Sequence, residues 1–139
     1  MACHDPAGVA ERIVAAARRC VGIRYRAQGR GAEGMDCLGV VLYALSAAGK
    51  MIGAPSDYAA VGHSSNIIEC SLIRGGLSRH SFEDHGPGDI LLVHHVGRWS
   101  HFAVATEHGL IEAHAGVRRV VERSLAVEER WGSAWRFAG

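Results

Sequence analysis

The chain carries no excess of charge: 15 lysines and arginines stand against 14 aspartates and glutamates, a formal +1. A nucleic-acid footprint or an anionic membrane surface calls for a basic surplus, so neither partner is expected. A run of about 18 apolar residues is also lacking, which excludes a membrane-spanning helix by length and composition. The opening residues, Met1-Ala2-Cys3-His4-Asp5-Pro6, do not have the basic-then-apolar layout of a secretory signal. Synthesis in the cytoplasm without classical export is therefore expected, with other routes out left open. Cys3, Cys20, Cys37 and Cys70 have spacings that match no disulfide or metal framework, and are read mostly as free thiols. No internal repeat, low-complexity tract or linker interrupts the chain. With 139 residues, 48% of them hydrophobic and 21% charged, residues 1–139 are expected to form one domain with a core that needs no staples.

Helical signals come first. Asp5 caps a helix in which Pro6 suits the first position, and Val9, Ile13, Ala16, Ala17 and Cys20 form a stripe that stops near Val21-Gly22. Residues 23–34 are basic and glycine-rich and read as loop. A second helix opens at Cys37, with Asp36 as its cap, Leu38, Val41, Leu42 and Leu45 on one face, and Gly49 just past its end. Residues 50–65 read as loop and Asn66–Arg74 as a short helix before Gly75-Gly76. After Pro87-Gly88 the pattern turns to strands: Asp89–Val96, then His101–Thr106 and Leu110–Ala115 as a hairpin, then Arg119–Arg123, with Trp135-Arg136-Phe137 closing the sheet. Helices followed by antiparallel strands indicate an α+β fold.

Cys37 is the first residue with chemical promise. In the first turn of a helix, free backbone N–H groups and the positive dipole end favour an anion, and a thiolate is what a nucleophile needs. An arbitrary cysteine is more often a small buried hydrophobe, so the downstream histidines decide the matter. There are nine histidines, and they form no tag-like tract. If Thr106–Gly109 joins the hairpin, Ala105 pairs with Leu110. Counting outward from that pair sets His101 opposite His114 on one sheet face. His101 could then act as base toward Cys37, with His114 holding its second ring nitrogen. His94 and His95 are adjacent and point to opposite faces of a strand, and neither forms a common zinc spacing with Cys37 or Cys70. No metal and no cofactor is expected. His63, His80 and His85 are expected on a solvated surface, and residues 50–85 are open to reading as a lid or specificity wall.

A series of short motifs follows in order: Val21-Gly22-Ile23-Arg24-Tyr25-Arg26, Asp36-Cys37-Leu38-Gly39, Pro87-Gly88-Asp89-Ile90-Leu91-Leu92, His101-Phe102-Ala103-Val104 and Ile111-Glu112-Ala113-His114-Ala115. Over roughly residues 10–125 this resembles the NlpC-type cell-wall cysteine peptidases, a papain-like group that cleaves peptidoglycan stem peptides. The resemblance implies a papain-like α+β fold with Cys37 as nucleophile, His101 as general base and His114 as the orienting residue. It matches Tyr25 to the family tyrosine beside the nucleophile, and sets Asp36 and Gln28 on the substrate side; capping alone also accounts for Asp36. The implied reaction is acyl transfer to water through a thioester, at the bond between γ-D-glutamyl and a diamino acid.

Two departures narrow the resemblance. Ala27-Gln28-Gly29 stands where many members have Trp-Gly-Gly, and Leu38 where many have serine. The pattern Tyr-Arg-x-Gln-Gly with Asp-Cys-Leu-Gly is similar to the branch found in phage tails and gene-transfer agents, which implies tail proteins as partners and action in the cell envelope. Two other readings keep the same residues: an amidase or acyltransferase on another acyl donor, and a wall-binding or tail module with an idle site.

Overall fold

The computed structural model describes residues 6–50, 65–94, 100–125 and 132–137. Helix α1 (Pro6–Cys20) leads to a small hairpin of β1 (Arg30–Gly31) and β2 (Gly34–Met35), and then to α2 (Cys37–Ala47). Helix α3 (Ser65–Arg74) runs into β3 (Leu77–His80), and a 3-10 turn at Phe82–Asp84 precedes β4 (Ile90–His94). Strands β5 (Ser100–Thr106), β6 (Gly109–His114), β7 (Arg119–Arg123) and β8 (Ser133–Phe137) complete an antiparallel sheet ordered β3-β8-β4-β5-β6-β7. Helices packed on an antiparallel sheet are the α+β arrangement the sequence implies.

Both faces of the sheet are covered. On one, Ile90, Leu92, Phe102, Val104, Ile111, Ala113 and Trp135 pack against Val9, Ile13 and Ala16 of α1 and Leu38, Val41 and Leu45 of α2. On the other, Leu91, Ala103, Ala105, Leu110 and Ala134 form a smaller cluster under Phe82 and Leu125. Double coverage explains why Ile90-Leu91-Leu92 reads as an unbroken apolar run. Helix α2 is buried at Cys37–Val41, Ala44 and Leu45, so most of its circumference faces protein. Arg18, near the end of α1, ties the helix to the edge strand β7. Its Nε and Nη2 donate to the two carboxylate oxygens of Glu122 at 3.1 and 2.9 Å, and Thr106 Oγ1 adds a bond to Glu122 at 2.9 Å.

Several sequence expectations meet different structure. The stretch 23–34 is not plain loop: Arg24 bridges Arg119, Tyr25 bridges Met35, and β1 and β2 form a two-pair ladder. Strand β3, unforeseen, is polar except for buried Leu77. The strand expected from Asp89 starts at Ile90, because Asp89 instead closes a turn, accepting from Gly86 N at 3.0 Å and from Arg136 Nη2 at 2.8 Å. Strand β8 lies inside the sheet, between β3 and β4, rather than at its end. Residues 51–64, among them His63, lie outside the described residues, as does His95.

Candidate active site

The loop before α2 and the helix itself are locked together. Asp36 is the N-cap of α2, its Oδ1 accepting from Gly39 N at 2.8 Å. The same oxygen accepts from Arg30 Nη1 at 3.1 Å, and Oδ2 accepts from Gln28 N at 2.8 Å. Gln28 sits at φ +62° with its side chain exposed. Gly39 packs on the Gly29 carbonyl so closely that a Cβ there would collide with its oxygen. At the other end, Gly49 at φ +83° ends the helix: Gly49 N donates to Ser46 O at 2.9 Å and Lys50 N to Leu45 O at 2.8 Å, a Schellman pair. Cys37 is thus held at the first position of a helix fixed at both ends, with 9% of its surface exposed.

His101, on β5, makes a hydrogen bond to Cys37. Its Nε2–H donates to Glu112 Oε1 at 2.5 Å, which leaves Nδ1 for the sulfur. Glu112 is buried on β6, and its Oε2 accepts from Arg123 Nε of β7, also at 2.5 Å. Burial alone would lower the His101 pKa, but the hydrogen bonds to Cys37 and Glu112 outweigh it and push the ring up to about 9. Burial alone would raise Glu112, but hydrogen bonds from His101 and Arg123 hold its carboxyl below the usual range. The arrangement sets a thiol, an imidazole and a buried carboxylate in series, the order in which a nucleophile, a base and an orienting acid would act.

The residue on the second nitrogen of His101 is therefore Glu112, where the sequence pointed to His114. The hairpin register is the expected one, Ala105↔Leu110, extended to Thr106↔Gly109 and Val104↔Ile111. Glu112 and His114 share a face of β6, and a strand residue can meet its diagonal neighbour as well as the one opposite. His114 turns to its own turn, where Nδ1 accepts from Val117 N at 3.1 Å. A carboxylate inside the apolar run Leu110-Ile111-Glu112-Ala113 marks Glu112 as a buried acid that needs a partner, without saying which partner it takes. Arg123 left no comparable signal.

Tyr25 is half-buried beside this centre. Its backbone N–H donates to Arg118 O at 2.9 Å. Burial, then the negative charges of Cys37 and Asp36, raises its phenol above the ordinary value. Asp36 has its carboxylate engaged by the protein, and Gln28 contributes its backbone N–H to that network. Cys20 and Cys70 are free, and burial pushes the Cys20 thiol up to about 11, an inert state. His80 and His85 are half-buried rather than solvated: His80 shares a hydrogen bond with Ser78 Oγ at 3.1 Å, and His85 Nδ1 donates to Phe82 O at 2.8 Å while stacking on the Phe82 ring. Among the described residues no three His, Cys, Asp or Glu side chains converge as a metal site would require, and no helix is long and apolar enough to cross a membrane.

No family model matches the chain, and no curated protein matches its sequence. Solved structures do. The NlpC/p60 domain of the peptidoglycan hydrolase SagA superposes with a TM-score of 0.63 at 24% identity, covering 90% of this chain and 96% of that one. The peptidoglycan hydrolase RipB from Mycobacterium tuberculosis gives 0.68 at 19% identity, covering 96% and 67%. NlpC1 from Trichomonas vaginalis gives 0.70 at 16% identity, covering 96% of this chain and 45% of that one. The chain has the papain-like fold of NlpC/p60 domains. It spans nearly all of the SagA domain and less than half of the Trichomonas protein.

Proposed function

We propose that the protein is a cysteine peptidase that hydrolyses an amide bond in peptidoglycan stem peptides. The observation that carries this reading is the series Cys37–His101–Glu112, set with its sulfur at a helix N-terminus. Two solved structures of the same fold are named peptidoglycan hydrolases, which supports the substrate class. In the first half-reaction the Cys37 thiolate attacks the amide carbon. The oxyanion lies against the first-turn N–H groups of Cys37 and Leu38, which no helical carbonyl reaches, and the Tyr25 hydroxyl stands beside it. Protonated His101 gives its proton to the leaving amine, and a thioester remains on Cys37. His101 then takes a proton from water, which attacks the thioester and releases the acid.

Glu112 keeps the His101 ring oriented throughout and stabilises its charged form. Within this reading the scissile bond joins γ-D-glutamyl to a diamino acid. The Gln28 and Leu38 sequence pattern favours a tail-associated enzyme acting in the cell envelope. The test is incubation of the protein, and of Cys37→Ala, with defined muropeptides, followed by mass spectrometry. Scission by the first and none by the second is expected, with fragment masses identifying the bond. Scission retained in Cys37→Ala refutes the mechanism. No scission with a Cys37 that still alkylates readily would move the search to other acyl donors.

A further inference from the structure

Glu112 has two hydrogen bonds at opposite oxygens: His101 on Oε1 and Arg123 on Oε2. We propose that Arg123 is a positioning residue for the general base, which fixes the Glu112 carboxylate so that Oε1 meets His101 Nε2 and the ring presents Nδ1 to Cys37. This rests on the Cys37–His101 reading above.

The sheet explains why Arg123 reaches this place. Glu112 pairs with Val121 and Leu110 with Arg123, so Arg123 is the diagonal neighbour of Glu112 on the same face. It donates through Nε rather than through the end of its fork, and Nη1 is tied to Ser124 O at 3.2 Å. A guanidinium pinned at two points has little freedom left, so the bond it makes is directional. Without it, Glu112 would be a carboxylate with only 4% of its side chain exposed and Oε2 stripped of its N–H donor. Burial favours the neutral acid, and a protonated Glu112 would meet the His101 ring without the charge that stabilises imidazolium. The charged or titratable groups in this series are Cys37 from α2, His101 from β5, Glu112 from β6 and Arg123 from β7, with Tyr25 beside the sulfur.

The test needs no substrate. The His101 ring is titrated by NMR in the intact protein, in Arg123→Gln and in Arg123→Met, with His101→Gln giving the assignment. Glutamine places an amide N–H at the position of Arg Nε without the charge, and methionine supplies no donor. The expected midpoint is about 9 in the starting protein. It falls by about one unit or more in Arg123→Met, and stays within about half a unit in Arg123→Gln. A midpoint in Arg123→Met equal to that of the starting protein overturns the proposal. So does an Arg123→Gln midpoint as low as that of the methionine variant, which would assign the effect to charge alone. If Arg123 only braced the sheet, both variants would melt earlier and neither midpoint would move. Should Arg123→Met fail to fold, Arg123→Lys replaces it, since its ammonium lies one bond beyond Nε; an unmoved midpoint there also overturns the proposal. An ordinary His101 midpoint in the starting protein, with Cys37 inert to iodoacetamide, would instead sink the active-site reading itself, before any Arg123 variant is compared.

Discussion

Glu112 and His114 are two residues apart, and the choice between them decides how His101 is held. Glu112→Gln keeps the shape and an acceptor oxygen but removes the charge that stabilises imidazolium. It is expected to lower kcat on the order of 100-fold with little change in KM, a loss of orientation rather than of binding. His114→Asn is expected to leave kcat within about threefold, since its bond to Val117 N is an ordinary one. Steady-state rates on one muropeptide separate the two outcomes. The pH profile adds a second check. The folded His101 pKa is raised, so the stabilisation of its protonated form is complete below about 6.5 and is lost as pH rises through about 9. The alkaline limb of kcat/KM should therefore lie near 9 and move down in Glu112→Gln. Glu112 itself is lowered, so its contribution is present above about 4.3 and is lost as pH falls through its folded value. The helix start at Cys37 and the strand position of His101 were legible in the sequence because each depends on local pattern. Glu112 was not, because a sheet face offers both opposite and diagonal partners, and side-chain direction chooses between them.

At the scale of elements, the position of Cys37 depends on contact between α2 and the loop that precedes it. Asp36 joins the two through Gly39, Arg30 and Gln28, and Gly39 lets the Gly29 carbonyl lie against the helix. Gly39→Ala is a good helix substitution by propensity, worth about 1 kcal/mol in the stabilising direction. Here the collision with backbone oxygen should reverse the sign, to a loss of about 1–3 kcal/mol. Urea unfolding checks the sign, and muropeptide cleavage should fall with it as the first turn of α2 shifts. The ends of α2 were readable because caps and C′ glycines are local chemistry, whereas the Asp5 cap expected for α1 lies outside the described residues. Strands β1, β2 and β3 were not, since two to four residues leave no period to detect and β3 has little apolar content.

The whole molecule depends on a sheet with two covered faces, and β8 is its central strut. Trp135 is buried at 2% exposure and donates Nε1–H to Ser133 Oγ at 2.9 Å. Trp135→Phe loses ring volume and leaves that hydroxyl buried without its donor, a cost of about 2 kcal/mol. Its denaturation midpoint should drop while kcat at 25 °C stays near that of the starting protein, because β8 supplies no side chain to the Cys37–His101–Glu112 series. Sheet order was beyond the sequence: apolar alternation marks a strand but not its neighbour, and the β3-β8-β4 order pairs segments more than 40 residues apart.

The central position of β8 has a consequence for the chain while it is being made. When residues 37–123 have left the ribosome, Cys37, His101, Glu112 and Arg123 all exist, yet β3 has no strand beside it and β4 is open along one side. Only when residues 133–137 emerge can the gap be filled, so the sheet is finished after Cys37, His101, Glu112 and Arg123 have all been synthesised. Translation order therefore keeps the nascent chain from acquiring its full framework early. A pause before residue 133 would leave an unpaired β4 edge exposed, an invitation to pair with the wrong chain.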